Sequence, residues 1–486
     1  VGLMDFQRVD ELHDIGYNRT LSMMDSIKSR IHRRVNLDNI RLRRMVYRSN
    51  YPELRFKNII IDGANTQQQA YIKKEFHKSD NKEFSYEDLK QGYFRLLSDN
   101  MISEIIPHAI YNPEDDTYDL HLKVKLENNF AVRLGGNIST SNSNQIYLGL
   151  SYQDLNYYAK EFVFDGQLGK VYNNAQFMAK IDFSTAIPTS YRFIASISTF
   201  DYFKKDKLFS RNDKPAFNQK DERFLKLQVG LPFLSSKRAE FGIGIARIED
   251  KYFQKSVIDF GNDKFDKSRY DLFGGSISFN GSTLNSRQYP TRGYREALIA
   301  QIFIGRERFY PGEGATGNNN KEHHSWLQLS YMKEKYHNMS EHWVLGWYLK
   351  ALYASKNFSE NYTATMMQAG EFSPTQHSKL TYNEAFRANQ FVGAGIRPIY
   401  RLNQMFHLRG EFYGFMPIYP IERNSLNKAY YGKAFSKFEY LGEISVVCQL
   451  PFGDISAYVN HYSSPKREWN VGLSIGWQLF NYRFIE

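Results

Sequence analysis

Segments of about ten residues, in which apolar and polar residues alternate, follow one another from about residue 130 to residue 486. In the last segment, Val471, Leu473 and Ile475 alternate with small or polar residues such as Gly472 and Ser474. Because successive side chains of a β-strand point to opposite faces, each segment is predicted to be a strand with one apolar and one polar face. Such strands build either a soluble β-sandwich or a barrel whose apolar face meets lipid.

The overall composition favours the barrel. The chain has 35 Tyr and 37 Phe among 486 residues, yet its mean hydropathy is −0.56. No stretch approaches the roughly 18 uninterrupted apolar residues that a membrane helix requires, which excludes a helical membrane protein. Many aromatic residues without overall hydrophobicity are typical of a transmembrane β-barrel with aromatic girdles and a polar interior. The one cysteine, Cys448, cannot form an internal disulfide and is interpreted as a small apolar strand residue.

The distribution of charge argues against nucleic acid as a partner. The formal net charge is +11, but 63 Lys and Arg are spread among 52 Asp and Glu, so no basic stripe dominates. One local basic cluster follows the first helical pattern and comprises Arg33, Arg34, Arg41, Arg43, Arg44 and Arg48. This basic cluster is either a solvated helix face or a patch that lies against anionic lipid headgroups. No cofactor is expected.

Two shorter regions precede the alternating strands. Residues 1–50 show helical spacing of their apolar residues and no alternation. Residues 54–127 have a different pattern, which predicts a strand at 54–61, helices at 66–78 and 85–98, and strands at 102–111 and 117–126. Ser85 and Asp88 form a start signal for the second of these helices. The acidic pair that begins at Asp115 favours a tight turn between the last two strands.

The alternating region divides into sixteen predicted strands. They lie near residues 130–139, 144–155, 160–172, 174–185, 191–203, 220–233, 239–253, 268–283, 293–309, 323–338, 342–356, 389–402, 405–418, 438–452, 453–464 and 468–480. An even number is expected of a bacterial barrel, because its first and last strands then meet antiparallel.

The order of these parts resembles that of the BamA/TamA superfamily of outer-membrane barrels, in which a β-α-α-β-β unit, the POTRA domain, precedes a sixteen-stranded barrel. The resemblance implies a mainly β protein with a periplasmic POTRA domain at residues 54–127 and a transmembrane barrel at residues 130–486. It also implies a place in the outer membrane of a Gram-negative bacterium, with outer-membrane lipid and lipopolysaccharide as partners. Subunits of an outer-membrane complex are further partners that it suggests.

The longest stretch without alternation, about residues 357–388, lies between the eleventh and twelfth predicted strands. A loop of that length is usually functional or disordered. In the BamA/TamA superfamily the loop at this place folds into the lumen, and an arginine at its tip pairs with an acid of the inner wall. The resemblance assigns that arginine to Arg387, although the two residues after it depart from the Arg-Gly-aromatic motif. The alternative is an ordinary exposed loop arginine.

The wall acid that the resemblance implies has two candidates, Glu411 first and Glu443 second. On the thirteenth predicted strand, alternation places Arg409, Glu411 and Tyr413 on the face opposite to Phe406, Leu408 and Phe412. A guanidinium group in a lumen is expected to have a planar carboxylate partner, because the two groups match in geometry and charge.

The last strand resembles the C-terminal signal by which outer-membrane barrels are recognised for assembly. Gly472, Ile475 and Trp477 carry this likeness, although nine residues follow Trp477. Ordinary strand alternation explains most of the same pattern.

Metal and catalytic motifs are not convincing in this sequence. The His323-His324 pair lacks further ligands at metal spacing, so it is interpreted as polarity at the barrel rim rather than as a metal site. The segment around Ser474 matches the Gly-x-Ser-x-Gly pattern of hydrolases. That pattern requires a strand-turn-helix, whereas Ser474 lies inside an alternating strand. No catalytic residue is predicted in this chain.

The opening phrase, from Met4 to Tyr17, resembles the tail of bacterial patatin-like phospholipase domains, with Asp5 and Phe6 among the residues that carry the likeness. The resemblance implies a longer parent, in which a patatin-like serine phospholipase domain precedes the barrel that anchors or exports it. No cleavable export segment opens the chain, so residue 1 is not expected to be the start of the gene product.

Two other functions stay open at this point. The first is a factor that assembles or translocates other polypeptides, which more than one POTRA domain would favour. The second is a porin, which the predicted POTRA domain argues against.

Overall fold

The structure is a computed structural model. It describes residues 9–31, 35–49, 53–76, 83–141, 144–183, 187–202, 218–234, 237–254, 264–313, 315, 319–464 and 468–486. Within these ranges, no helix is long and apolar enough to cross a membrane. Of the residues singled out above, Met4, Asp5, Phe6, Arg33 and Arg34 lie outside the described ranges.

The described residues before residue 50 are mainly helical, as the apolar spacing of this region predicts. Helices α1 (Val9–Ser22), α2 (Met24–Arg30) and α3 (Leu37–Ser49) follow one another. The described members of the basic cluster all lie on α3 and are exposed. Their exposure is compatible with a solvated helix face and with a lipid-facing patch, so both interpretations remain open.

A small α/β unit follows these helices. Its strands are β1 (Arg55–Asp62), β2 (Phe84–Ser85), β3 (Ile102–Asn112) and β4 (Thr117–Leu126), and its helices are α4 (Thr66–Phe76) and α5 (Tyr86–Leu97). The strands form one sheet in the order β2-β1-β4-β3. The predicted succession of strand, two helices and two strands is confirmed, and the short strand β2 is an addition to it.

Local interactions explain why these elements begin and turn where they do. Ser85 N donates to Asp88 Oδ2 at 3.0 Å, and Asp88 N donates to Ser85 Oγ at 3.2 Å. This reciprocal pair caps the start of α5, as the sequence signal predicts. In the turn between β3 and β4, Asp116 adopts a positive φ of 52°, and Asp115 accepts a hydrogen bond from Lys57 Nζ at 2.6 Å.

The rest of the chain is a closed antiparallel barrel of sixteen strands. The remaining strands are β5 (Phe130–Ser139), β6 (Gln145–Leu155), β7 (Ala159–Gly169), β8 (Tyr172–Phe183), β9 (Thr189–Asp201), β10 (Asn218–Phe233), β11 (Lys237–Tyr252), β12 (Asp266–Ser282), β13 (Gly293–Tyr310), β14 (Asn320–Asn338), β15 (Trp343–Ala354), β16 (Gly370–Glu371), β17 (Arg387–Ala388), β18 (Gln390–Arg401), β19 (Phe406–Pro417), β20 (Ile421–Arg423), β21 (Ala429–Tyr431), β22 (Glu439–Leu450), β23 (Gly453–Tyr462) and β24 (Glu468–Gly476). The pairs β16-β17 and β20-β21 are separate two-stranded sheets, and the other sixteen strands form the wall. The predicted strand number is confirmed.

Alternation along the wall strands separates an apolar outer face from a polar lumen. On β24, the side chains of Val471 and Leu473 are exposed on the outside, whereas Ser474 is buried on the inside. The same division holds on β19, where Leu408 is exposed and Arg409 is buried, as predicted. Because a strand repeats every two residues, each wall strand offers one face to the surroundings and one to the interior.

Candidate functional site in the barrel lumen

The long loop between β15 and β18, residues 355–389, is folded into the lumen. It contains helix α6 (Tyr362–Gln368), whose start is capped by Asn361, since its side chain accepts from Ala364 N at 2.9 Å. The same Asn361 donates to Tyr252 OH at 2.7 Å, and Gln368 donates to Asp250 Oδ2 at 2.5 Å. The loop is therefore bonded to the inner face of β11 at two points, in agreement with its predicted position.

Arg387 lies in the loop with a carboxylate partner that differs from the expected one. Its guanidinium donates to Glu371 Oε2 at 3.0 Å and to the carbonyl oxygen of Ala369 at 3.3 Å. It also lies over the ring of Tyr382, 4.7 Å from the ring centroid. Glu371 and Arg387 belong to the paired strands β16 and β17, so this ion pair joins two parts of the same loop. The alternative of an exposed arginine does not hold, because Arg387 is buried.

Glu411, the first candidate for the partner of Arg387, belongs to a network within the wall. It accepts hydrogen bonds from Arg409 and from Tyr413 OH, the latter at 2.8 Å. Arg397 of β18 donates to the Tyr413 hydroxyl at 2.5 Å and to Glu334 of β14. The network links β14, β18 and β19, so its charges are satisfied by neighbouring strands.

This wall network also holds two segments that enter the lumen. Arg397 donates to the carbonyl oxygen of Pro374 in the loop at 3.1 Å. Arg409 donates to the carbonyl oxygen of Pro290, in the turn between β12 and β13, at 2.8 Å. The adjacent Tyr289 is buried, and its hydroxyl bonds Ser456 on β23 at 3.0 Å. The turn therefore packs against the inner wall.

Glu443, the second candidate, does bind the loop, but through a histidine. His377 Nδ1 and Glu443 Oε1 are 2.9 Å apart, and the imidazole ring stacks on Tyr458. Sequence reasoning missed His377 because a lone histidine in a stretch without alternation gives no periodic signal. A search of the loop for any group able to bind a wall carboxylate, and not for arginine alone, would have included it.

The two histidines of the His323-His324 pair differ in environment: His323 is exposed, as expected of a polar rim residue, whereas His324 departs from that interpretation. His324 is buried, and its Nε2 lies 2.9 Å from Glu307 Oε2. Glu322 lies near the same group, with its carboxylate 4.0 Å from His324 Nε2. The ligand atoms of these three side chains lie close enough to one another to hold a metal ion, and Glu307 also accepts a hydrogen bond from Tyr270 OH at 3.2 Å.

Residues 477–486, here called the luminal segment, leave the wall after β24 and cross the lumen. Gln145 of β6 donates to Leu479 O at 3.2 Å and accepts from Leu479 N at 2.9 Å. On the other side of the lumen, Gln301 of β13 bonds the backbone of Phe484 and Glu486. The alternation predicts that the last strand ends near residue 480, but in the structure it ends at Gly476. Sequence alternation continues to Leu479, so the inward turn had no signal there.

The seam between the first and last wall strands is short. Strands β24 and β5 share a ladder of three residue pairs, from Ser474 opposite Ser139 to Gly476 opposite Asn137. Every other pair of neighbouring wall strands shares eight or more. Residues 130–135 of β5 consequently have no ladder partner on the β24 side within the described chain.

The seam ends at Gly476, whose backbone conformation is one that other residues rarely adopt. Gly476 has a φ of +112°, and a Cβ atom built on it would lie 2.2 Å from the carbonyl oxygen of Gly136. The next residue, Trp477, donates its N–H to that same carbonyl oxygen at 2.7 Å. Only glycine adopts this conformation without strain, so Gly476 allows the chain to turn inward at this point. Gly472 and Ile475 lie within β24, whereas Trp477 lies just beyond it.

No family model and no curated protein matches the sequence. Among solved structures, BamA from Haemophilus ducreyi lacking POTRA domains 1–3 is similar, with a TM-score of 0.60 and 12% identity over 87% of this chain and 84% of that chain. The chain has the BamA-type barrel fold. The fold that the sequence resemblance implied is thereby confirmed.

Two further solved structures cover the same share of the chain. CdiB from Acinetobacter baumannii matches 87% of this chain and 74% of its own, with 9% identity and a TM-score of 0.49. CdiB from Escherichia coli matches 87% of this chain and 76% of its own, with 11% identity and a TM-score of 0.49. The lumen of the present barrel contains the loop of residues 355–389, the turn at Pro290 and the luminal segment.

Proposed function

We propose that this chain is an outer-membrane barrel that inserts or translocates other polypeptides, with residues 54–127 as a periplasmic POTRA domain. The observation that carries the proposal is the three-pair seam between β5 and β24. A backbone hydrogen bond contributes a net of about 0.5–1.5 kcal/mol, so this seam is the weakest point of the wall. Separation there exposes strand edges, and such an edge is a template for another strand.

The outer face of the barrel supports a place in the outer membrane. Large apolar side chains are exposed all around it, for example Leu134, Ile243 and Ile302. A closed barrel satisfies its backbone groups internally, which is the condition for spanning lipid with strands. Residues 130–135 of β5 pair with β6 but have no strand partner on the β24 side among the described residues, and lipid offers that edge no hydrogen bonds. A client strand would pair with that edge, and outer-membrane lipid and lipopolysaccharide would surround the remaining wall.

Site-specific photocrosslinking tests this function. A photoreactive residue is placed at Leu134, on the unpaired part of β5, or at Ile302, an equally outward position on β13. Both variants are offered an unfolded outer-membrane protein whose assembly is arrested. We expect crosslinks from position 134 and few from position 302. Equal crosslinking at the two positions would contradict an action of the seam on clients.

We further propose that the chain is the membrane part of a patatin-like phospholipase, a more specific form of the same assignment. The support is the resemblance of the opening phrase, whose described portion lies on the helix α1. The mass of the native protein's N-terminal peptide tests it. An upstream domain with a true Gly-x-Ser-x-Gly motif is the expected result, and a signal-peptide cleavage site just before Val1 would defeat it. A porin is disfavoured because the loop and the luminal segment occupy the lumen.

A further inference from the structure

Backbone groups of the luminal segment form hydrogen bonds with side chains of the wall. Gln145 contacts both the N–H and the C=O of Leu479, as a neighbouring strand would. Gln301 donates to Phe484 O at 3.1 Å and accepts from Glu486 N at 3.0 Å. Side-chain amides of the wall therefore replace the backbone groups of a paired strand. Because every residue except proline carries one N–H and one C=O, contacts of this kind accept many sequences.

Two further wall groups complete the backbone contacts at the far end of the segment. Glu222 of β10 accepts from Phe484 N at 2.6 Å, and Gln328 of β14 donates to Glu486 O at 2.6 Å. All four wall side chains, Gln145, Glu222, Gln301 and Gln328, are buried. The four residues, three side-chain amides and one carboxylate, are here called the amide site. Their polar atoms point into the lumen, where a polar side chain that loses its partner incurs a desolvation cost.

One side chain of the segment is anchored in an apolar pocket. Phe484 is 3% exposed and packs with Phe224 and Phe303, at ring-centroid distances of 5.9 Å and 5.7 Å. Two glycines of the wall, Gly244 and Gly274, leave the space that its ring occupies. By contrast, Tyr482 of the same segment is 42% exposed. The pocket therefore holds an aromatic residue at this position, whereas Arg483 beside it lies 3.7 Å from Glu371 and Glu486 forms an ion pair with Lys226 at 3.2 Å.

The segment enters the lumen directly at the seam. Trp477 N bonds Gly136 O on β5, and two residues later Leu479 reaches Gln145 at the start of β6. Gln145 lies opposite Asn137 of β5, the position at which the ladder between β5 and β24 ends. The first position of the amide site therefore adjoins the end of the seam. This places the amide site on the path of a strand that pairs at the seam.

We infer that the amide site is a binding site for an extended polypeptide with one aromatic anchor, and that residues 478–486 are its exchangeable occupant. That the polypeptide which replaces residues 478–486 is a client protein rests on the proposed function. The site itself does not, since the occupant seen here is part of the same molecule. Exchange requires that the segment leaves the site while β24 stays in the wall, which the glycine turn at Gly476 permits.

A peptide supplied in trans tests the inference. The probe is a fluorescent peptide with the sequence of residues 478–486, and the receptors are the full chain and a chain that ends at Trp477, both in lipid nanodiscs. We expect the shortened chain to bind the peptide. The full chain should bind it with an affinity at least about tenfold lower. In the shortened chain, the joint change Gln145→Ala and Gln301→Ala should weaken binding about tenfold or more, since four hydrogen bonds are lost. A matched control is Gln176→Ala, a buried wall glutamine on β8 that the segment does not use.

Several outcomes would overturn the inference. One is that the shortened chain does not bind the peptide although it shows the heat-modifiable gel mobility of a folded barrel. Another is that the double glutamine variant and the Gln176→Ala control bind the peptide equally well. If the shortened chain does not fold, the full chain with Phe484→Ala replaces it, because loss of the anchor should also free the site. Continued exclusion of the peptide from that folded variant would count against exchange.

An unfolded outer-membrane protein, added as a competitor, separates the inference from the proposed function. Displacement of the peptide supports both. A competitor that crosslinks at position 134 but leaves the peptide bound supports the proposed function and overturns exchange with clients at the amide site. Peptide binding with no interaction of any client supports the amide site and contradicts the proposed function.

Discussion

His377 Nδ1 lies 2.9 Å from Glu443 Oε1, and the imidazole ring stacks on Tyr458 with ring centroids 3.4 Å apart. The pair joins the loop of residues 355–389 to strand β22, and both side chains are almost fully buried. A buried carboxylate without a partner is costly, so the loop and the wall stabilise each other at this contact.

Removal of the wall acid should release the loop. For Glu443→Ala we expect loss of the contact with His377 and a docked state weaker by about 2 kcal/mol. The rate of trypsin cleavage within residues 355–389 measures this, and it should rise. Glu322→Ala is the matched control, since that carboxylate is 43% exposed. Cleavage rates that do not differ between the two variants would contradict an anchoring role for His377 and Glu443.

The partner of Arg387 can be measured by double-mutant cycles. Arg387→Met combined with Glu371→Gln should show a coupling energy of about 1–3 kcal/mol in urea unfolding, because the two groups form a buried ion pair. The cycle with Glu411→Gln should show coupling near zero, since that carboxylate is bonded to Arg409 and Tyr413. A larger coupling with Glu411 than with Glu371 would restore the pair that the sequence resemblance suggested.

The glycine turn at the end of β24 should tolerate no side chain. Gly476→Ala places a Cβ atom against Gly136 O at a positive φ, so we expect the free energy of unfolding to fall by about 1–3 kcal/mol. Gly166→Ala serves as control, because its Cβ would meet ordinary contact distances of 3.8 Å and more. Urea unfolding in detergent gives both values. Equal effects would mean that the turn is not strained by a side chain.

Docking of the loop should strengthen at alkaline pH. Burial lowers the pKa of Lys379, which lies in the loop, to about 8 from its ordinary 10.5. Between these two values the docked lysine has lost its proton while the undocked one keeps it, so the docked state gains stability as pH rises. Proteinase K cleavage of the loop should therefore slow from pH 7 to pH 10.

Variants at lysine positions check the cause of this pH dependence. Lys379→Met should flatten it, and the remainder should come from Lys356, whose pKa burial also lowers to about 8. An exposed lysine, Lys433, provides the control substitution. A pH dependence that Lys379→Met leaves unchanged would mean that the charge of Lys379 does not control docking of the loop.

The wall of the barrel was predictable from sequence, because burial on one face imposes a period of two on every strand. The inward faces of Arg409 and Glu411 followed directly from that period. Contacts between the loop and the wall were not predictable, since the choice between Glu371, Glu411 and Glu443 depends on how residues 355–389 fold back. The route of the luminal segment also had no signal, because its side chains continue the alternation of β24 up to Leu479.

The most direct test of the central claim is to lock the seam. Ser139→Cys with Ser474→Cys, in a Cys448→Ser background, places two thiols at opposed positions of β5 and β24. The control, Ser456→Cys with Ser474→Cys, joins β24 to its fully paired neighbour β23. Insertion of an unfolded outer-membrane protein into proteoliposomes is then measured before and after reduction. We expect the oxidised seam variant to be inactive and to recover on reduction, while the control is active throughout. Full activity of the oxidised seam variant would contradict the account.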